Sequence, residues 1–150
     1  MTNLTRAAGR VLIIEEWDAK PVQKVVAEVD SNLINYEDVT MIVSKYQFQN
    51  ARKQLNEKIK IIEMTTNDCL IRDFGPLFLI HSETKQLRGL KSSFNAWGGT
   101  KFGRYFLWDD DDMLSYKIFE LEKLDYYELL IVLEWGTILL DGQGTCFASE

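Results

Sequence analysis

The sequence contains few of the side chains from which metal centres, disulfide frameworks and membrane spans are built. Its 150 residues include 1 histidine, 2 cysteines and 2 prolines. Cys69 and Cys146 are not spaced as a CxxC pair, so together with the lone His81 they predict no zinc site. The longest apolar run, residues 129–133, is far shorter than the roughly 20 residues of a membrane-spanning helix. The start of the chain, residues 1–6, has no apolar signal core behind it. We therefore expect no metal, no membrane association and a reduced, cytoplasmic setting.

Basic residues are also in the minority. There are 17 Lys and Arg against 23 Asp and Glu, a net charge of −6. This balance argues against a nucleic-acid partner, which requires a basic face to displace counterions from phosphates. It is compatible with a cationic ligand and, equally, with a charge that serves solubility alone. Hydrophobic residues make up 46%, which is enough for a packed core.

Hydrophobic periodicity predicts strands that alternate with helices, and therefore an α/β fold. In the first half, the apolar patterns indicate strands at residues 11–14, 39–43 and 58–64, and helices at residues 21–33 and 46–57. In the second half, they indicate a hairpin of residues 77–81 and 87–94, a loop at 95–99, a helix after the acidic run 109–112, and strands at 127–133, 137–140 and 145–149.

The two halves repeat one order of elements: helix, strand, acidic loop, strand, turn, strand. Glu63 and Glu134 follow matching apolar strands, and Gly75 and Gly144 precede matching strands. This repetition predicts a duplicated αβ unit.

Three carboxylates lie at the ends of strands or in glycine-rich loops: Asp73, Glu134 and Asp141. Acids in such loops can converge on a cleft, and a pair of facing carboxylates suits the planar N–H fork of a guanidinium. A plainer interpretation stays open, in which Asp141 serves a turn and Asp73 pairs with a nearby arginine.

Several other residues favour structural roles. His81 has no oriented partner nearby in sequence, as a proton shuttle requires. Cys69 and Cys146 are expected to be buried, inert thiols. The acidic run 109–112 does not have the spacing of a calcium loop, and we expect it to cap the following helix. Trp97, beside Gly98-Gly99, is expected to line a pocket or to pack on the core.

Three ordered motifs resemble those of the agmatine deiminase family, whose bacterial members are also described as peptidyl-arginine deiminase-like. Residues 63–76 resemble its strand and "ND…RDxGP" segment, residues 94–99 match "FNAWGG", and residues 134–145 fit "EGGSxHxDGxGT". The first sixty or so residues match only loosely, and the usual opening "EWxPH" segment is not recognisable.

The resemblance implies a partial αβ-propeller, about two of five repeated αβ units, with residues 1–150 forming the N-terminal portion of that domain. It implies hydrolysis of agmatine to N-carbamoylputrescine and ammonia in putrescine biosynthesis. In the family, a cysteine thiolate attacks the guanidinium carbon, two aspartates hold the guanidinium nitrogens and a histidine transfers protons. No metal or organic cofactor is implied, and the expected partner is a small, cationic, agmatine-like guanidine.

Carried over by position, Asp73 and Asp141 match the guanidinium-holding aspartates, Glu134 matches the glutamate that opens its segment, and Trp97 is the fourth substrate-binding candidate.

The sequence also departs from the family pattern. Leu139 occupies the histidine position, Leu70 replaces a tryptophan, Trp135 replaces a small glycine, and neither cysteine matches the nucleophile. The catalytic set is therefore expected to be incomplete and the chain alone inactive. The alternative is a non-catalytic remnant that binds a cationic ligand or a partner chain, through self-association or a complementing chain.

Overall fold

The computed structural model describes residues 10–12, 20–141 and 144–149, in which strands and helices alternate. The strands are β1 (Arg10–Leu12), β2 (Thr40–Val43), β3 (Lys60–Glu63), β4 (Leu77–Ile80), β5 (Leu87–Ser93), β6 (Tyr126–Val132), β7 (Ile138–Leu140) and β8 (Cys146–Ala148). The helices are α1 (Lys20–Leu33), α2 (Phe48–Gln54), α3 (Ile71–Phe74), α4 (Gly99–Phe102), α5 (Asp109–Asp112) and α6 (Leu114–Glu122), with a 3₁₀ turn at Trp135–Thr137. The predicted elements are confirmed in type. Ile13 and Ile14 of the first predicted strand, and Gly142 and Gln143 of the last turn, lie outside the described residues.

The described residues up to Cys69 form one compact unit. Its sheet is parallel throughout, in the order β1-β2-β3, and the helices α1 and α2 connect successive strands. Apolar side chains of β2 and α2 form the core, and Val26 of α1 packs against it. Val25 and Val29, which share the spacing that predicted α1, are exposed, so only part of that apolar stripe reaches the core.

The residues from Leu70 onward form the second unit. The strands β4 and β5 make the predicted antiparallel hairpin, and β6 returns parallel to β5 after α4, α5 and α6. Leu114, Ile118 and Phe119 of α6 are fully buried. The strands β7 and β8 form a separate antiparallel pair. The assignment of residues 1–150 to a single domain stays a prediction.

The sequence predicted that the acidic run 109–112 caps the following helix, and this prediction is wrong. The run forms α5 itself, and neither α5 nor α6 has a side-chain cap. Its carboxylates instead make tertiary contacts: Asp110 accepts from Lys117 Nζ at 2.9 Å, and Asp111 accepts from the Tyr105 hydroxyl. Because the helix already begins at Asp109, these side chains are directed toward neighbouring elements. The spacing of the acids in the sequence does not reveal this arrangement.

The repeated order of elements is confirmed, because α2–β3–α3–β4–β5 is followed by α6–β6–3₁₀ turn–β7–β8. The pairing of Gly75 with Gly144 is wrong. Gly75 precedes the first strand of its hairpin, whereas Gly144 precedes the second strand of the later hairpin. Glycine spacing did not distinguish a residue before a hairpin from a residue within one.

Candidate functional site

The helix α3 is a single turn that fixes Asp73 at the start of the second unit. Its last residue, Phe74, is buried, and the Phe74 carbonyl accepts a hydrogen bond from Ser115 Oγ at 3.0 Å. The Phe74 ring also lies 5.2 Å from the Phe94 ring. Pro76 follows Gly75 and cannot continue the helix. The backbone is therefore anchored immediately after Asp73.

Each oxygen of the Asp73 carboxylate accepts one N–H group. Trp97 Nε1 donates to Oδ2 at 3.1 Å, and the Gly136 backbone amide donates to Oδ1 at 3.1 Å. The side chain is half-buried, and within residues 10–12, 20–141 and 144–149 no lysine or arginine forms an ion pair with it. The expectation that Asp73 pairs with a nearby arginine is therefore wrong. Among the described residues, the donors that reach its charge are both neutral.

Gly136 approaches Asp73 as closely as it does because it has no side chain. A Cβ atom at this position would lie 2.1 Å from Asp73 Oδ1, well inside van der Waals contact. The glycine is therefore required by the carboxylate rather than by an unusual backbone conformation. A methyl group here would displace the Asp73 side chain.

Trp97 lies in a loop of four consecutive residues with positive φ: Ala96 (56°), Trp97 (61°), Gly98 (148°) and Gly99 (64°). A left-handed conformation costs a non-glycine residue about 1–2 kcal/mol. Gly98 is needed as glycine, since a Cβ there would also lie 2.7 Å from the Phe102 backbone. Asn95 Oδ1 braces the loop by accepting the Gly98 N–H at 3.1 Å.

The Trp97 ring is held by aromatic neighbours on the same unit. It meets the Phe94 ring edge-on at 5.1 Å and the Tyr105 ring at 6.0 Å. The Arg104 guanidinium lies 5.5 Å from the Trp97 ring centroid, within the range of a cation–π contact. The indole is thus packed on the core and its N–H is directed to Asp73, which answers the question left open for this residue.

The other predicted site residues lie in or next to the β7–β8 hairpin. The Glu134 carbonyl accepts the Thr137 N–H at 3.0 Å, which closes the 3₁₀ turn, and its side chain is half-buried. Asp141 Oδ1 accepts the Thr145 N–H at 3.0 Å, so Asp141 does serve a turn. Leu139 is 69% exposed and pairs with Phe147 across the hairpin. The structure thus brings Asp73 and Trp97 together, whereas the contacts described for Glu134 and Asp141 are local.

The remaining reactive residues lie outside this cluster. His81 is exposed, and its Nδ1 accepts the N–H groups of Glu83 and Thr84, both at 3.2 Å, which stabilises the β4–β5 turn. The expectation that both cysteines are buried is wrong, because Cys69 and Cys146 are exposed and neither is in a disulfide. Apolar residues beside a cysteine in the sequence therefore do not show that the thiol is buried in the fold.

Within the described residues, no three His, Cys, Asp or Glu side chains come together to hold a metal ion. Over the same residues, no helix is long and apolar enough to cross a membrane.

Sequence reasoning missed the Gly136 amide as a partner of Asp73. The two residues are 63 positions apart, and a backbone N–H leaves no trace in residue type. Two signals were available in retrospect: the glycine itself, and its place two residues after Glu134. Trp135, which replaces a small residue in the family motif, is 5% exposed and belongs to the core.

Comparisons with known proteins agree with the motifs. A candidate agmatine deiminase of Mycoplasma capricolum is 44% identical over 132 residues, which is 88% of this chain and 36% of that protein. A second candidate agmatine deiminase, from Listeria monocytogenes, is 45% identical over 132 residues, covering 87% and 36% of the two chains. The chain therefore spans about a third of the length of these curated relatives.

A solved structure of the agmatine deiminase of Enterococcus faecalis has a TM-score of 0.86 and 38% identity, covering 97% of this chain and 42% of that one. The fold is thus α/β and corresponds to part of an αβ-propeller. The family model of the Porphyromonas-type peptidyl-arginine deiminases matches residues 13–150. The chain belongs to the Porphyromonas-type peptidyl-arginine deiminase family.

Proposed function

We propose that Asp73 binds the guanidinium group of agmatine or a closely related cation. One observation carries this proposal: a half-buried carboxylate is held by two neutral N–H donors and, among the described residues, has no cation of the protein beside it. A partly buried charge without a counterion is costly, and a cationic ligand would supply the missing charge. The net charge of −6 also favours a cation over an anion.

The hydrogen-bonding capacity of Asp73 suits a guanidinium. An ionised carboxylate offers about four acceptor positions on its two oxygens. Trp97 and Gly136 use one position on each oxygen. One acceptor position per oxygen remains, which matches the two parallel N–H groups of a guanidinium edge.

The rest of the family's chemistry enters as part of the same proposal. Asp141 is the second carboxylate for the guanidinium, and Glu134 lines the same site. Hydrolysis of agmatine to N-carbamoylputrescine and ammonia further requires a thiolate nucleophile and a proton-transferring histidine. In these 150 residues, Leu139 stands at the histidine position and neither cysteine matches the nucleophile. We therefore propose that this polypeptide alone binds the substrate and does not turn it over.

The proposal includes a cytoplasmic setting and a place in putrescine synthesis. Two exposed thiols, at Cys69 and Cys146, support a reducing compartment because neither is in a disulfide. The names of the relatives support agmatine as the substrate.

A second candidate function, binding of a partner chain, rests on a separate observation. Every position of β6 except Leu129 is exposed, and Leu130 is 87% exposed. Leu139 and Phe147 on the β7–β8 hairpin are 69% and 60% exposed. Exposed apolar strands at a sheet edge favour association, so we propose that this surface supports self-association or binds a complementing chain.

Calorimetric titration with agmatine tests the first proposal. We expect saturable binding by the wild-type chain and at least tenfold weaker binding by Asp73→Asn, because the ion pair and its charge-assisted hydrogen bonds are lost. Putrescine, which has two amines and no guanidinium, is the matched control ligand and should bind more weakly than agmatine. Equal affinities for the two ligands, or for the two proteins, would contradict the proposal. In the same samples, ammonia release should not exceed background.

A further inference from the structure

The two N–H groups that reach Asp73 come from two separate parts of the second unit's sequence. Trp97 follows β5, and Gly136 follows β6. Each donates to a different carboxylate oxygen at the same distance, 3.1 Å. A carboxylate has one free torsion about its Cβ–Cγ bond, and two donors on different oxygens fix that torsion. The plane of the Asp73 carboxylate is therefore set by the protein before any ligand arrives.

We propose that Trp97 and Gly136 are positioning residues that orient Asp73 for a two-point contact with a guanidinium. This inference rests on the proposed function, since it describes how the same carboxylate meets its cation. It assigns Trp97 a different role from direct ligand contact, because its only polar group is already bonded to Asp73. The indole acts on the ligand through the carboxylate.

The construction around Trp97 supports this role. The residue is held in a left-handed conformation, with φ 61°, in a loop of four such residues. Strained backbone of this kind persists where surrounding contacts require it. Phe94 and Tyr105 meet the indole edge-on and leave its N–H directed at Asp73. The indole N–H is the one polar group that tryptophan supplies here and phenylalanine lacks.

Gly136 supports the role independently. Its φ is not in the left-handed region, yet a side chain would meet Asp73 Oδ1 at 2.1 Å. Gly136→Ala therefore moves the carboxylate without removing its charge. Trp97→Phe removes one donor and keeps an aromatic ring, although a smaller one, at this position. The two variants perturb the orientation of Asp73 in different ways and leave its chemistry intact.

The test uses the N–H groups as their own reporters in ¹⁵N-labelled protein. The Trp97 indole signal is identified by its loss in Trp97→Phe. The Gly136 amide signal is identified by its replacement in Gly136→Ala with an alanine amide signal at a different ¹⁵N shift. Without ligand, Asp73→Asn should move both signals upfield, because a neutral acceptor replaces a charged one. Trp108→Phe, a half-buried tryptophan elsewhere in the unit, should leave both in place. If Asp73→Asn moves neither signal, the positioning role is overturned, whatever the ligand does.

Agmatine titration then separates the two claims. Wild-type binding should shift both signals. Trp97→Phe removes one hydrogen bond that orients Asp73, and Gly136→Ala displaces the carboxylate, so each variant should weaken binding about tenfold. Trp108→Phe, which removes the N–H of a tryptophan that does not bond to Asp73, should bind as the wild type does. If Asp73→Asn moves both signals but the wild-type protein does not bind agmatine, the proposed function fails and the positioning of Asp73 stands. If wild type binds agmatine and both positioning variants bind equally well, the positioning role is overturned.

Discussion

Asp112 and Asp73 are two carboxylates of the same unit that are satisfied in opposite ways. Asp112 Oδ1 accepts from Lys91 Nζ at 2.9 Å and from the Phe94 N–H at 2.8 Å. Lys91 is only 2% exposed, and among the described residues Asp112 is the anion that pairs with it. The two charges of this pair therefore neutralise each other. Asp73 has two comparable N–H donors but no cation of the described protein. The difference is why we propose Asp73, and not Asp112, as the carboxylate that binds a ligand.

The comparison also shows that a carboxylate cannot be assigned from its neighbours in sequence. Asp112 belongs to an acidic run that suggested a helix cap, and it proves to be the counterion of a buried lysine. Asp73 directly follows Arg72, which suggested an ion pair, and it bonds instead to residues 24 and 63 positions away. Tertiary partners decide which charge is structural.

The largest expected effect comes from breaking the ion pair between Asp112 and Lys91. Asp112→Asn leaves the buried Lys91 cation without an anion, and we expect the free energy of unfolding to fall by about 3 kcal/mol. Urea unfolding measures this change. Asp110→Asn is the matched control, since its partner Lys117 and Asp110 itself are 33% and 42% exposed, and an exposed pair contributes under about 1 kcal/mol. An equal loss of unfolding free energy in the two variants would mean that the burial of Lys91 does not increase the cost of losing its anion.

A third carboxylate, Asp30, sharpens the comparison because its side chain is buried without a described hydrogen-bond partner. Asp30 of α1 is fully buried, and among the described residues neither of its oxygens has a hydrogen-bond partner. Burial raises the pKa of Asp30 from 3.8 to about 6. The folded state therefore keeps this proton at pH values where the unfolded chain has lost it, so this group makes stability fall as pH rises from 3.8 to about 6.

We expect Asp30→Asn to raise the free energy of unfolding at pH 7 by about 2 kcal/mol, since a neutral side chain replaces a buried charge. The gain should shrink as the pH is lowered through 6 and should be nearly absent at the pH where Asp30 is protonated in both states. Urea unfolding of both proteins across this range measures the effect. A difference that does not change with pH would show that charge burial is not its cause.

The smallest effect on stability, but a clear one on association, is expected at the exposed strand β6. Leu130→Lys places a charge on a side chain that is 87% exposed, so folding should change by less than about 0.5 kcal/mol. Sedimentation should show less association than in the wild type, because the apolar edge is interrupted. Tyr46→Lys is the matched control, also at 87% exposure but outside β6. A wild-type chain that stays monomeric at high concentration would contradict the proposal that this surface supports self-association.

The sequence predicted the elements well because hydrophobic periodicity and turn residues are local properties. The β4–β5 hairpin and α1 were found close to their observed bounds. The site was only half predictable. Motifs indicated Asp73 and Trp97, but nothing in the sequence joined them, and the Gly136 amide carries no side-chain signal. The exposure of Cys69 and Cys146 was also missed, because burial depends on which elements pack over a residue in the folded chain.

The most direct test of the central claim compares the two carboxylates in one experiment. Urea unfolding of wild type, Asp73→Asn and Asp112→Asn is measured with and without agmatine. A ligand at a hundred times its Kd stabilises the folded state by about 2.7 kcal/mol. The account predicts that agmatine stabilises wild type and Asp112→Asn and leaves Asp73→Asn unchanged. Stabilisation of Asp73→Asn by the same amount as wild type would contradict it.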